Sequence, residues 1–283
     1  MKQVLTFAFF LTTFFSAAAQ PATAPRKLKK AVILEVARTA EDDMPGTRGA
    51  SIVWHPVQKK YYAAMAGNAG FPLSVFDAAG KRISPDSLNC GVDVRGLWYS
   101  PVTKSIQGNA FADGGWFNYK LNAKGMVTKV EHLWEEKTQP GDQSVGAYNP
   151  VKKQVLFLDG DVVLFYDGAT GILSASSLLI NFGRTKKQGK TEMEKEEDEF
   201  DEPVTPEDYN YTSPIYTGIK GAELGFLNYT EKQIELYNIA DGFLTRKLQL
   251  PEEASVNQAF NFSYCNGMYW LFDIDARTWV GYK

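Results

Sequence analysis

A chain of 283 residues with 30 lysines and arginines against 33 aspartates and glutamates carries a formal charge of -3. That balance gives no electrostatic case for nucleic acid or an anionic membrane surface as partner. The two histidines exclude an H-E-x-x-H site, a His-based metal cluster and any obvious Ser, His, Asp set.

The chain opens with Met1, Lys2 and Gln3, then runs apolar from Val4 to Phe15 except for Thr6, Thr12 and Thr13, and reaches Ser16, Ala17, Ala18, Ala19 and Gln20. The apolar run is too short to span a bilayer and ends in small residues, so residues 1–19 read as a signal peptide cleaved after Ala19. Export to the periplasm or the exterior is expected. No cysteine stands at the cleavage point to take a lipid anchor, and no later segment approaches about 18 uninterrupted apolar residues, so no membrane span is expected after cleavage. Residues 20–30 read as a flexible linker and 31–283 as one domain. The alternating segment Ala31 to Val36 has the period of a strand.

Three segments then share a pattern: Trp54 His55 Pro56 Val57 Gln58 Lys59, Tyr99 Ser100 Pro101 Val102 Thr103 Lys104, and Tyr148 Asn149 Pro150 Val151 Lys152 Lys153. Their prolines lie 45 and 49 residues apart, the period of propeller blades. Proline pre-sets a turn and cannot donate to a continuing ladder, so each copy marks a strand end followed by a turn. A second pattern follows at Ser74 to Gly80, Asn118 to Gly125 and Leu164 to Gly171, and a fourth version spans Glu235 to Gly242. Each is an apolar strand leading through a Gly-containing hairpin to another strand. Asp159-Gly160 adds a hairpin inside the third copy. Four short antiparallel strands per copy make an all-β fold, a β-propeller of about five four-stranded blades, with six the competing count.

Between the third and fourth copies, residues 184–211 are first basic and then acidic, with too few apolar residues to repay ordering, so a disordered charged insertion is expected. It lacks the residue order of an EF-hand loop. Near the end, Asn257 to Tyr264, Met268 to Phe272 and Thr278 to Tyr282 read as three strands around an Asn266-Gly267 turn. The last blade is one strand short. Ala31 to Val36 can complete it, removing two exposed sheet edges.

The run Gly146 to Phe157, followed by Val163 to Gly171, resembles the blades of YVTN-type, NHL-type and gluconolactonase-like propellers. This resemblance covers most of residues 48–250 and is one of blade type. It implies a WD40-like repeat architecture shared by binding proteins, scaffolds and a few enzymes. In gluconolactonase-like enzymes acidic and asparagine side chains on the inner strands hold a metal, and Asp93, Asp142 and Asn257 are the nearest counterparts.

Residues opening the innermost strands, Arg48, Asp93, Arg95, Asp142, Ser144, Ser213 and Asn257, are the candidates for a ligand site at the channel entrance; their mixed charge also allows them to pair and close the pore. His55 reads as a turn residue and His132 as an outer-strand surface residue. Trp98, Trp116, Phe117, Trp134, Trp270 and Trp279 read as core between blades, with stacking on sugars or a partner as the alternative. Cys90 and Cys265 fall in loops on opposite faces and read as free thiols, with one long-range disulfide the alternative. No catalytic residue is assigned. The expected function is an exported monomeric binding scaffold for a protein or surface glycan, with no cofactor. The alternative is a metal-dependent lactonase or other hydrolase holding a divalent cation in the channel.

Overall fold

The computed structural model describes residues 25–38, 48–186 and 206–283. The expected signal peptide and residues 187–205 of the charged insertion lie outside the described residues. What is described is a five-bladed β-propeller.

Two short strands come first, β1 (Arg26–Lys27) and β2 (Lys30–Glu35). Blade one is β3 (Arg48–His55), β4 (Lys60–Ala66) and β5 (Ser74–Phe76). Blade two is β6 (Val94–Ser100), β7 (Ser105–Ala110), β8 (Trp116–Leu121) and β9 (Val127–Trp134). Blade three is β10 (Ala147–Asn149), β11 (Gln154–Asp159), β12 (Val162–Asp167) and β13 (Leu173–Leu179). After β14 (Asn181–Thr185), blade four is β15 (Ile215–Tyr216), β16 (Leu224–Asn228), β17 (Gln233–Tyr237) and β18 (Phe243–Gln249). Blade five is β19 (Phe262–Cys265), β20 (Met268–Asp273) and β21 (Thr278–Tyr282), and β2 pairs antiparallel with β21 to complete it. The ring is thus closed by the first long strand of the chain.

Strand position explains strand composition. The second strands of the blades are covered on both faces by neighbouring blades, so β4, β16 and β20 are almost wholly buried and read as near-continuous apolar runs. Outer strands β2, β9 and β13 face solvent and carry charged or polar residues. Between blades the packing is aromatic: Trp98, Trp116, Phe117, Trp270 and Trp279 are at most 4% exposed, and Trp116 meets Trp98 edge to face at 5.5 Å. Trp134 is half-buried beside the same cluster.

The repeated turn is built from its own side chains. Its polar residue accepts backbone N–H groups two or three positions on: His55 Nδ1 from Gln58, Ser100 Oγ from Thr103, and Asn149 Oδ1 from Val151 and Lys152. The lysine that ends each copy, Lys59, Lys104 or Lys153, takes a left-handed backbone with φ of 51°, 55° or 56°. Asp77, Asn122, Asp167 and Asn238 cap the outer hairpins in the same way.

Four segments differ from the sequence reading. The fourth strand of blade one is reduced to two isolated bridges, Phe76 to Arg82 and Pro72 to Asn89, because between them Ser84 Oγ takes the Val75 N–H and Pro85 supplies no donor. The segment read as a linker is paired from Arg26 onward: β1 lies parallel to β18, and Leu28 is buried. Both termini of the charged insertion are ordered, since Arg184 and Thr185 belong to β14, while Tyr209 and Asn210 are buried. β1 and β14 therefore cover the outer edge of blade four, which an exposed sheet would leave open to pairing. The first strand of blade five begins at Phe262 rather than Asn257, because Phe260 and Asn261 take left-handed backbones with φ of 53° and 57°.

Candidate functional site

With strands lettered A to D from the axis outward, the D-to-A and B-to-C connections lie on one face of the propeller and the A-to-B and C-to-D turns on the other. The channel between the five A strands has two different ends.

The sequence-predicted site lies at the first end, and it is filled. Arg95 is 2% exposed, bonds the Asp93 carboxylate at 2.6 Å, donates to Gln143 Oε1 and stacks on Phe111 and Phe260. Burial lowers its pKa, and the Asp93 charge opposes that shift. The Asp93 carboxylate also accepts the Gly67 N–H. Arg48 lies over the Phe260 ring at 4.3 Å. Phe260 itself is 1% exposed; its N–H donates to Thr212 Oγ1 and its carbonyl accepts from Asn210. Ser144 Oγ accepts the Gly141 N–H, and the Ser144 carbonyl accepts from Asn109. Ser213 is fully buried beside Thr212. Asp142 points to Lys137 at 2.7 Å and is half exposed, while Asn257 contributes its carbonyl to Asn210. The structure thus joins Asp93 to Arg95 and seats Arg48 beside them on Phe260. It directs the Asp142 side chain elsewhere. Among the described residues no three His, Cys, Asp or Glu side chains group so as to hold a metal ion.

The second end is open. A cavity of about 310 Å³ is walled by the A strands of all five blades and reaches the A-to-B turns at Pro56, Pro150, Gly218 and Asn266. Its lining contains Trp54, Tyr99, Tyr148, Tyr216 and Tyr264, one aromatic residue from each blade and each half-buried. Among the described residues no charged side chain lines it. Burial raises the pKa of Tyr148, Tyr216 and Tyr264, so these hydroxyls stay protonated and can donate. The arrangement is an aromatic cup with polar handles, suited to a flat, neutral ring bearing hydroxyl groups.

The sequence marks four of these residues, Trp54, Tyr99, Tyr148 and Tyr264, as strand ends and assigns them no role. The signal that could have found them is the repeat, since an aromatic side chain two positions before the turn proline in blades one to three must recur at the same height around the axis. Both histidines lie outside the cup: His55 is buried at its turn, stacked 4.8 Å from Tyr99, and His132 is exposed on β9. Cys90 and Cys265 are free thiols.

No family model matches the chain, and no curated protein is similar to it in sequence. Among solved structures, the glutaminyl cyclase of Myxococcus xanthus superposes with a TM-score of 0.52 at 9% identity, covering 92% of this chain and 98% of that one. An auxiliary nutrient binding protein from Bacteroides thetaiotaomicron gives 0.40 at 12% identity, with 83% of this chain and 59% of that one covered. A catalytically inactive virginiamycin B lyase from Staphylococcus aureus, crystallised with quinupristin, gives 0.37 at 16% identity and covers 87% and 67%. At 9% identity the likeness to the cyclase is one of fold.

Proposed function

We propose that this chain is an exported, non-catalytic binding module whose aromatic cup holds a sugar unit of a surface glycan. The observation that carries the reading is the ring of Trp54, Tyr99, Tyr148, Tyr216 and Tyr264 around a neutral cavity open to one face. The apolar face of a sugar packs on such rings while its hydroxyls exchange hydrogen bonds with the phenols. The leader at residues 1–19 supports export, and the blade motif at Gly146 to Phe157 supports kinship with the YVTN and NHL type of repeat. A metal-dependent hydrolase built on Asp93, Asp142 and Asn257 draws no support from the geometry, because the first two carboxylates face Arg95 and Lys137.

Tryptophan fluorescence tests this. Trp54 is half-buried in the cup; Trp98, which also lines the cavity, and Trp116, Trp270 and Trp279 are at most 4% exposed, and the half-buried Trp134 lies on the outer strand β9, so the measurement uses a Trp134→Phe background. A soluble polysaccharide that binds should shield Trp54 from acrylamide quenching, and Trp54→Ala or Tyr148→Ala should abolish its binding. Polysaccharide binding that survives both substitutions, or a panel in which none protects Trp54, would overturn the proposal.

A further inference from the structure

The overall charge of -3 hides an uneven distribution. Asp113, Asp142, Asp161 and Glu231 belong to the D-to-A and B-to-C connections, and Asp159 ends β11, all on the face where the channel is plugged. The A-to-B turns around the open cup carry Lys59, Lys104, Lys152, Lys153 and Lys220, all exposed. No ion pair joins any of these five to a carboxylate among the described residues. Asp273, which accepts the Ala276 N–H, and the exposed Asp275 stand with the plugged face, at the B-to-C turn of blade five. Carboxylates on the cup face are fewer and most are engaged: Glu223, in the turn of Lys220, accepts the Gly221 N–H. Asp77 accepts the Ala79 and Lys81 N–H groups, Asp167 those of Ala169 and Thr170, and Asp241 pairs with Lys186.

The conformation of three of these lysines adds a second observation. Lys59, Lys104 and Lys153 sit at left-handed positions, which glycine or asparagine occupies at lower energy. Blade five uses those residues in its own A-to-B turn, Asn266 and Gly267, with φ of 52° and 69°. Lys232 shares the conformation on the other face, where its ammonium bonds the Glu252 carbonyl and carboxylate. The three lysines at the cup have no carboxylate partner among the described residues; their turns are held by backbone bonds such as Lys59 N–H to the His55 carbonyl and Gly168 N–H to the Lys153 carbonyl, which leaves the ammonium groups for a ligand. Beside them Val57, Val102 and Val151 stand 71%, 60% and 77% exposed, one apolar contact on the rim from each of blades one to three.

We infer that the glycan held by the cup is anionic, its carboxylate, sulfate or phosphate groups being read by the lysines of the A-to-B turns. This rests on the cup reading and deepens it. Aromatic walls without charge take one sugar unit, and the basic rim meets the charged units on either side. The shape favours a glycan over a nucleic acid, since a single concavity on the axis, stoppered below by Phe260, offers no groove to track a phosphate backbone. The exposed valines are spaced one to each of blades one to three rather than contiguous, unlike a surface that inserts into lipid.

The test uses the purified full chain with polygalacturonate and its fully methyl-esterified form, which share a backbone and differ in charge, and with dextran sulfate and dextran. Each charged polymer should bind and its neutral counterpart should bind at least tenfold more weakly. For three or four ion contacts at roughly 0.7 per contact in the log–log salt slope, affinity should fall roughly 20- to 50-fold between about 50 and 200 mM salt. Lys104→Gln with Lys153→Gln should lower affinity and flatten that slope, and Lys104→Arg with Lys153→Arg should restore both. Equal binding of charged and neutral polymers, with Trp54→Ala still abolishing it, would overturn the charge inference and leave the cup reading standing. Binding of charged polymers that ignores Trp54→Ala would overturn both. Tighter binding to a single-stranded oligonucleotide or to phosphatidylglycerol vesicles than to either charged glycan would also overturn the inference.

Discussion

Closure of the ring can be tested with two neighbouring residues of β2. Leu34 is 0% exposed, lies opposite Trp279 in the β2–β21 ladder and belongs to the cluster that joins blades five and one through Phe272, Met65 and Phe76. Ile33 points the other way and is 54% exposed. Leu34→Ala should therefore remove a buried isobutyl group and leave a cavity that rigid strands cannot collapse, at a cost of about 2–5 kcal/mol. In a domain of this size each kcal/mol shifts Tm by roughly 2–4 °C, so a drop of roughly 4–20 °C is expected. Ile33→Ala should stay within about 0.5 kcal/mol. Thermal unfolding followed by circular dichroism, checked by urea titration, reads both. Equal effects of the two substitutions would refute the assignment of β2 as the closing strand, because a one-residue register slip would exchange the two faces.

Other expectations concern the plug, the turns and the blade contacts. Asp93→Asn should cost about 3 kcal/mol, because it leaves the buried Arg95 guanidinium without its counter-charge, and Arg95→Met in the same chain should recover part of that loss in a urea titration. Gly49→Ala places a methyl group 2.6 Å from Phe272 Cβ and 2.7 Å from the Trp279 ring, so overpacking should cost about 1–3 kcal/mol. Gly160→Ala meets nothing within 4 Å and carries only the penalty of its φ of +62°, about 1 kcal/mol, so its urea midpoint should lie above that of Gly49→Ala. Burial lowers the His55 pKa below its ordinary 6.5, so the unfolded chain binds this proton more readily than the folded one. The resulting stability is present above about pH 6.5 and is lost as pH falls through that value. His55→Asn should flatten the dependence in that window, whereas an unchanged pH profile would show that another group sets it.

The blade repeat was legible because its information is local. Proline at 56, 101 and 150 stops a strand, and the residue before it caps the turn with its own side chain, so six consecutive residues specify the geometry without distant help. The closing role of β2 followed from strand arithmetic. Phe260 was not legible: Asn257 to Tyr264 has a strand-like pattern, and what overrides it is bonding to Asn210 and Thr212, 50 and 48 residues away. The cup was only partly legible. Trp54, Tyr99 and Tyr148 stand in the repeat, but Tyr216 precedes Thr217 and Gly218, and Tyr264 precedes Cys265 and an Asn-Gly turn. Without the proline that marks the other copies, neither aligns with them by eye.

The difference between the two channel ends follows from the lengths of the connections that surround them. The A-to-B turns of blades one to three hold four residues between strands, 56–59, 101–104 and 150–153, and that of blade five holds two. Loops that short must continue the direction of the strands they join, so they cannot fold over the axis. The opening at that end is therefore a consequence of these tight turns, the seven-residue turn of blade four (217–223) being the longer exception, and an aromatic residue at or one position before the end of each A strand recurs around it. The D-to-A connections are longer; residues 250–261 and 135–146 have slack enough to turn inward and bury Phe260 and Gln139. A loop that reaches the axis can present a side chain to the channel, and here Phe260 uses that reach to stack on Arg48 and Arg95. Expecting a ligand among the residues that open the inner strands assumes that this end is unfilled. In this chain the long loops fill it, and the open end is the one around which blades one to three display the blade motif itself, aromatic residue, proline, valine and lysine.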